Sequence, residues 1–360
     1  MILRVCAALT LFAVLAGSQA WAHGSTEYEA LNIALVDDVV MPGYAGHATA
    51  TADFAEAMQG FCAGTRSGVE ATVVAQYHAA MDAWQRIRPI AMGPILQGTG
   101  IARIEFWPDK RGTGARQIRL ALQAEDPALL ASAGLESKSV ALGDLKALEY
   151  LFFPEDGGVA VPGSYRCSLA ATIADRQAAI ARELLVAWTG EDGFRTKIVT
   201  AARGNDAFFD AAEASADYLK NLAGLLDEIV VEKLERPLGK DLAQARPTRA
   251  ESWRSRRSLR DIAANLETAR ALYATPGAFR NLLAAEGLEP LADGMLRQFD
   301  EAIAMAGGIG MPLHDAVADS VAREKLETLI ELLRSLRVLV AGPLADRTGL
   351  TIGFNARDGD

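Results

Sequence analysis

Residues 206–234 read "DAFFDAAEASADYLKNLAGLLDEIVVEKL", and the spacing of their apolar side chains decides the fold class. Phe209, Ala212, Ala216, Leu219, Leu222, Ala223, Leu226 and Val230 recur with the period that lines one face of an α-helix. Residues 65–88, 164–188, 250–273 and 319–340 carry the same pattern, whereas runs alternating apolar and polar side chains are scarce. Breaks rich in Pro and Gly fall at 88–95, 107–114, 154–163, 235–247 and 305–313. Short connections between long amphipathic helices predict an all-α fold of two packed helical bundles, each of four-helix-bundle type. The division is expected near residues 190–200, and no convincing repeat relates the halves.

The chain has 360 residues, 50% of them hydrophobic and 23% charged, as in an ordinary globular protein. Its first residues, "MILRVCAALTLFAVLAGSQAWAHGS", place one Arg before an apolar run and small residues before a cut after Ala20 or Ala22. That is the pattern of a cleavable secretory signal, residues 1–22, and the run is short for a membrane span. No later stretch is long and apolar enough to span a bilayer, so stable membrane insertion of the mature chain is not expected. Cys6 belongs to the signal. Cys62 and Cys167 remain for an oxidising compartment, where one disulfide closing a long loop is the natural reading. A formal charge of −10, becoming −11 with loss of Arg4, argues against nucleic acid and anionic membrane as partners.

One acid stands in an apolar arc. In "ALGDLKALEYLFFPED" (141–156), which reads as a helix blocked by Pro154, Glu149 falls among Leu142, Leu145, Phe152 and Phe153. A carboxylate buried without a partner costs several kcal/mol, so the chain must supply a cation, donors, a metal or a wet cleft. Two charged segments offer partners. "ARIEFWPDKR" (102–111) sets Arg103, Glu105 and Asp109 around Phe106 and Trp107, either an aromatic plug with ion pairs or the wall of a small-ligand site. "RAESWRSRRSLRDI" (249–262) carries Arg249, Arg254, Arg256, Arg257 and Arg260 among Ser252, Ser255 and Ser258. These arginines form a solvated face, or some turn inward to meet Glu149, Glu105 or an anionic ligand.

Familiar catalytic patterns are missing. His23, His47, His78 and His314 include no pair three or four apart, and there is no HExxH, GxSxG, Walker or dinucleotide fingerprint. His78 reads as a packed or surface histidine rather than a ligand, and His23 as a frayed terminus. In the tail "GLTIGFNARDGD", Asn355, Asp358 and Asp360 have the wrong order for a calcium loop, and Ile352 and Phe354 read as anchors.

Together these segments resemble the imelysin family, exported bacterial helical proteins classed with metallopeptidases. The resemblance rests on the signal, Cys62, "WQRIRPIAMGPI" (84–95), "RIEFWPD" (103–109), "KALEYLFFPED" (146–156), "YRC" (165–167), "ESWRSRRSLRDIAANL" (251–266) and the tail from 349 to 360. It implies two bundles, 23–195 and 196–360, with a site near their junction. The family's Gly-x-His-x-x-Glu, whose His and Glu are thought to bind a divalent metal, reads here Asp144, Lys146 and Glu149. An ammonium cannot ligate while protonated, so the expectation is a Lys146–Glu149 pair with no cofactor, and iron or zinc on Glu149 if any metal binds. The expected pocket comprises Glu149, Lys146, Arg103, Glu105, Trp107, Asp109, Ser252 and Arg254. The resemblance thus implies a periplasmic binding protein without peptidase activity, taking a small ligand or meeting an uptake-system protein, with a link to iron or other nutrient uptake. A metal-dependent peptidase and a structural envelope protein are the alternatives.

Overall fold

The long helices begin where the sequence supplies an oxygen to their exposed amides. A computed structural model describes residues 24–64, 70–154 and 160–351, and every α, 3-10 or π element in them is helical, with no strand among the described residues. The segment 1–23, which holds the expected signal and His23, and the tail 352–360, which holds Ile352, Phe354, Asn355, Asp358 and Asp360, lie outside the described residues. Asp210 caps the helix Ala211–Glu228 by accepting from the Glu213 N–H at 2.9 Å, while the Glu213 carboxylate accepts from the Phe209 N–H at 2.6 Å. This reciprocal cap satisfies amides that the helix leaves unpaired. It also puts Phe209 before the helix, where it is 88% exposed, correcting its expected place on the buried face. Tyr218, Leu219, Leu222 and Leu226 form that face instead.

The arginine-rich segment departs further from expectation. Its helix runs Ser258–Ala274, and residues 250–257 form a tight turn rather than a helical start. Ser252 at φ 48° and Arg256 at φ 57° explain this, since left-handed backbone cannot continue a right-handed helix. Likewise the helix carrying Glu149 spans only Leu145–Phe152, because Asp144 caps it by accepting from the Ala147 N–H at 2.7 Å.

Among the described residues three π segments, Val36–Val40, Ile229–Glu235 and Val340–Leu344, each lie beside or around a proline: Pro42, Pro237 and Pro343. Proline lacks an amide hydrogen and crowds the carbonyl four residues back, so the helix widens instead of breaking. The second of these carries Lys233 into the interior, 1% exposed.

Met41–Cys62, Glu70–Ile87 and Tyr165–Thr189 pack together, with Leu145–Phe152 against the last of them. Ser258–Ala274, Glu289–Gly307 and Ser320–Leu339 pack in series, and Ala211–Glu228 joins them. The two groups meet where Glu70–Ile87 lies against Ser258–Ala274. The first helix, Ser25–Leu35, packs on Ala211–Glu228, and the Asn32 Nδ2 donates to the Ala211 carbonyl at 2.8 Å. One continuous apolar core therefore runs through both groups. Cys62 and Cys167 form a disulfide, their Cα atoms 5.4 Å apart across 105 residues of sequence. It ties the end of Met41–Cys62 to the start of Tyr165–Thr189.

Candidate functional site

At the junction of the two groups the core becomes ionic. Glu149 is fully buried, and its partners come from both halves of the chain. The Lys146 ammonium donates to Oε2, while the Ser255 N–H and Oγ donate to Oε1 at 2.9 and 2.7 Å. Burial pushes the Glu149 carboxyl up, but Lys146 and the two Ser255 bonds outweigh it and hold the pKa below its ordinary value. Burial pushes Lys146 down, and Glu149 and Glu105 overcome that, holding the ammonium above its usual range. Both groups of the pair are therefore charged at neutral pH.

A second cluster lies alongside. Arg88, at the end of Glu70–Ile87, pairs with Glu105 at 3.2 Å, with Glu228 at 2.5 Å and with Glu251. Lys233 donates to Glu251 and to the Asn265 Oδ1 at 2.6 Å each, and to the Gln85 Oε1 at 3.1 Å. Glu105 also accepts from the Trp84 indole N–H at 2.6 Å. Four carboxyls, Glu105, Glu149, Glu228 and Glu251, thus share three cations, Lys146, Arg88 and Lys233. The surplus falls on Glu105. Burial and the charge of Glu251 push its pKa up to about 7, and its Oε1 has no hydrogen-bond partner among the described residues. Burial acts on Glu251 too, but Lys233 and Arg88 outweigh it and hold that pKa at about 2.

Above these clusters opens a cleft of about 350 Å³, walled by Phe106, Trp107, Tyr150 and Trp253. The Trp107–Pro108 peptide is cis. The Arg88 guanidinium and the Lys233 ammonium stand over the Trp107 ring, 5.3 and 5.8 Å from its centroid. Arg254 is held between the Tyr150 and Trp253 rings, 3.9 and 4.1 Å from their centroids.

The expected site residues separate into three places. Lys146, Trp107, Asp109 and Arg254 line the cleft. Glu149, Glu105 and Ser252 lie buried outside its lining, at 0%, 1% and 0% exposure. Arg103 turns away to pair with Glu183 at 3.0 Å and does not line the cleft. Asp109 accepts from the amides of Thr113 and Gly114 at 2.9 and 2.8 Å, so it fastens the start of the helix Thr113–Ala124. The Ser252 carbonyl accepts from the Arg257 N–H at 3.2 Å and so supports the turn.

Of the five arginines, only Arg257 turns fully inward, and it meets Asp261 and Asp82, at 2.7 and 2.6 Å, instead of Glu149. Burial pushes the Arg257 guanidinium down, and Asp261 and Asp82 help carry it well above its usual value. Its NH1 also donates to the His78 carbonyl at 3.0 Å and lies 2.9 Å from the His78 Nδ1. Burial and then Arg257 lower the His78 pKa to about 4, which leaves that ring neutral at pH 7.

Sequence reasoning missed Gln85, Arg88, Lys233, Asn265 and Glu251. Four of them were visible by the test that found Glu149: Gln85 and Arg88 follow the buried Met81 by four and seven residues, Lys233 follows Leu226 by seven, and Asn265 follows Ile262 by three. Glu251 sits in an aperiodic turn, where no such signal exists.

The imelysin family model matches residues 40–340. An imelysin-like protein from Psychrobacter arcticum superposes with a TM-score of 0.73 at 17% identity, covering 92% of this chain and 98% of its own. A protein from Parabacteroides distasonis, named as an iron-regulated protein A precursor, superposes with a TM-score of 0.74 at 17% identity, covering 92% and 97%. A search of curated proteins gave no match. The matched span covers most of the chain, all the helices of the junction included, and this chain belongs to the imelysin family.

Proposed function

We propose that this chain is an exported, periplasmic imelysin-like binding protein that takes a small polar ligand in the junction cleft and does not hydrolyse peptides. The observation that carries this reading is the Lys146–Glu149 pair. At the position where the family motif has a ligating imidazole, an ammonium occupies one oxygen of the neighbouring carboxylate, and Ser255 occupies the other.

The donor set speaks against the divalent metal that the motif implies. Glu149 is saturated, Glu251 is taken up by Lys233 and Arg88, and a metal entering here would meet three buried cations. Among the described residues no group of three or more His, Cys, Asp or Glu is arranged to hold a metal. The Lys146 ammonium supplies the positive charge instead. A role in iron or other nutrient uptake is supported by the name of the Parabacteroides structure. No described helix is long and apolar enough to cross a membrane, which accords with a chain that acts beside a membrane rather than within one.

Elemental analysis of the purified protein tests this. We expect no stoichiometric zinc or iron; metal that disappears in Glu149→Ala would overturn the reading, as would chelator-sensitive hydrolysis of a protein substrate. Lys146→His restores an imidazole three residues before the carboxylate and should confer divalent-metal binding that the parent protein lacks. If it confers none, the replacement account loses its main support.

A further inference from the structure

The cleft is basic in an acidic protein. Five cations line it, Lys110, Lys146, Arg236, Arg249 and Arg254, against two acids, Asp109 and Asp144, while the whole chain carries −10. Neither acid faces a ligand freely: Asp109 is bound to the amides of Thr113 and Gly114, and Asp144 accepts from the amides of Phe106 and Ala147 at 2.6 and 2.7 Å. Lys146 is neutralised by Glu149, and Arg236 pairs with Glu232 at 2.6 Å. Lys110 and Arg249 are exposed and have no carboxylate partner among the described residues.

The interior beneath the cleft contributes no net positive charge, because Arg88 and Lys233 are matched there by Glu105, Glu228 and Glu251. Arg88 and Lys233 stand over Trp107, so the face that this ring gives them is already engaged by cations. The Tyr150 and Trp253 rings hold Arg254 in the same way, which fixes that guanidinium in the wall of the cleft. Lys110 and Arg249 come from two separate stretches of chain, the loop before Thr113–Ala124 and the turn Pro247–Arg249. They converge on one space that also has aromatic walls.

We infer that the cleft binds a small multivalent organic oxyanion, a molecule with several carboxylate or phosphate groups on an apolar frame. This rests on the binding-protein reading and names the ligand class for the same site. The cations meet the charged groups, and the aromatic walls cover the frame, which a bare inorganic ion does not have. Repulsion excludes cationic compounds of the same shape.

Calorimetric titration of the purified protein with trimesate, inorganic phosphate and benzamidinium tests this. Trimesate is expected to bind most tightly, phosphate at least tenfold more weakly, and benzamidinium not at all. Lys110→Glu and Arg249→Glu, both at exposed positions, should each weaken trimesate by about tenfold while the melting temperature stays that of the parent. Phosphate binding as tightly as trimesate, benzamidinium binding equally well, charge reversal without effect, or no binding of any probe at millimolar concentration each overturns the inference. Those outcomes leave the parent reading standing. That reading fails separately, on metal content and hydrolysis measured with the same preparation.

Discussion

Replacing Lys146 with methionine keeps an apolar stem and removes the ammonium from Glu149. The Glu149 side chain is 0% exposed and that of Lys146 12%, so water replaces little of what is lost. Removing one member of a buried pair costs about 3–5 kcal/mol. The two Ser255 hydrogen bonds survive on the other oxygen and place the expectation at the lower end, about 3 kcal/mol at pH 8.

The pH dependence separates this account from a simple packing loss. In the parent protein the Glu149 pKa is lowered on folding, so its contribution is present above the unfolded pKa and is lost as pH falls through the folded one. Without Lys146, burial dominates and the folded pKa rises above the unfolded value. The folded state then holds a proton that the unfolded state has released, and stability falls as pH rises through that higher folded pKa. The cost of Lys146→Met should therefore be smallest near about pH 5 and largest near about pH 8. Urea unfolding followed by circular dichroism at both values measures it, and adding Glu149→Gln should recover part of the loss at the higher pH. A loss below about 1 kcal/mol at pH 8, or one that is the same at both pH values, refutes the reasoning.

Two further outcomes follow from the same interior. Glu105 has its pKa raised on folding to about 7, so its contribution is present below the unfolded pKa and is lost as pH rises through about 7. Glu105→Gln should remove that slope and make the protein more stable than the parent at pH 8 by about 1–3 kcal/mol; an unchanged pH profile in urea unfolding would count against the surplus-charge reading. The Cys62–Cys167 disulfide closes a loop across 105 residues, and the double variant Cys62→Ala/Cys167→Ala should lose about 3–5 kcal/mol, with no loss on thermal unfolding showing that the link does not constrain the unfolded chain.

The apolar period of Ala211–Glu228 and its counterparts made the helices legible, because one face of each must meet a core. The resemblance carried by the "RIEFWPD" and "KALEYLFFPED" segments supplied the family, which the match over residues 40–340 bears out. The same helical wheel that exposed Glu149 as an acid among apolar neighbours would have exposed Lys233 and Gln85, had it been applied to their helices. Its failures came where backbone conformation overrides period. Left-handed Ser252 and Arg256 turn a predicted helix start into the turn that brings Ser255 to Glu149, and the cap at Asp210 leaves Phe209 outside.

By itself the sequence determined the helical class, the family and the Lys146–Glu149 pair, since each depends on residues close together along the chain. Tertiary structure alone decided who else shares the interior charge. Arg88 stands 163 residues before Glu251 and more than a hundred before Lys233, and it meets them only because Glu70–Ile87 packs against Ser258–Ala274. It also decided that Arg103 pairs outside with Glu183 while Arg254 lies between two rings in the cleft. A helical pattern gives a side chain a direction; the element packed against that face determines the charge it meets there.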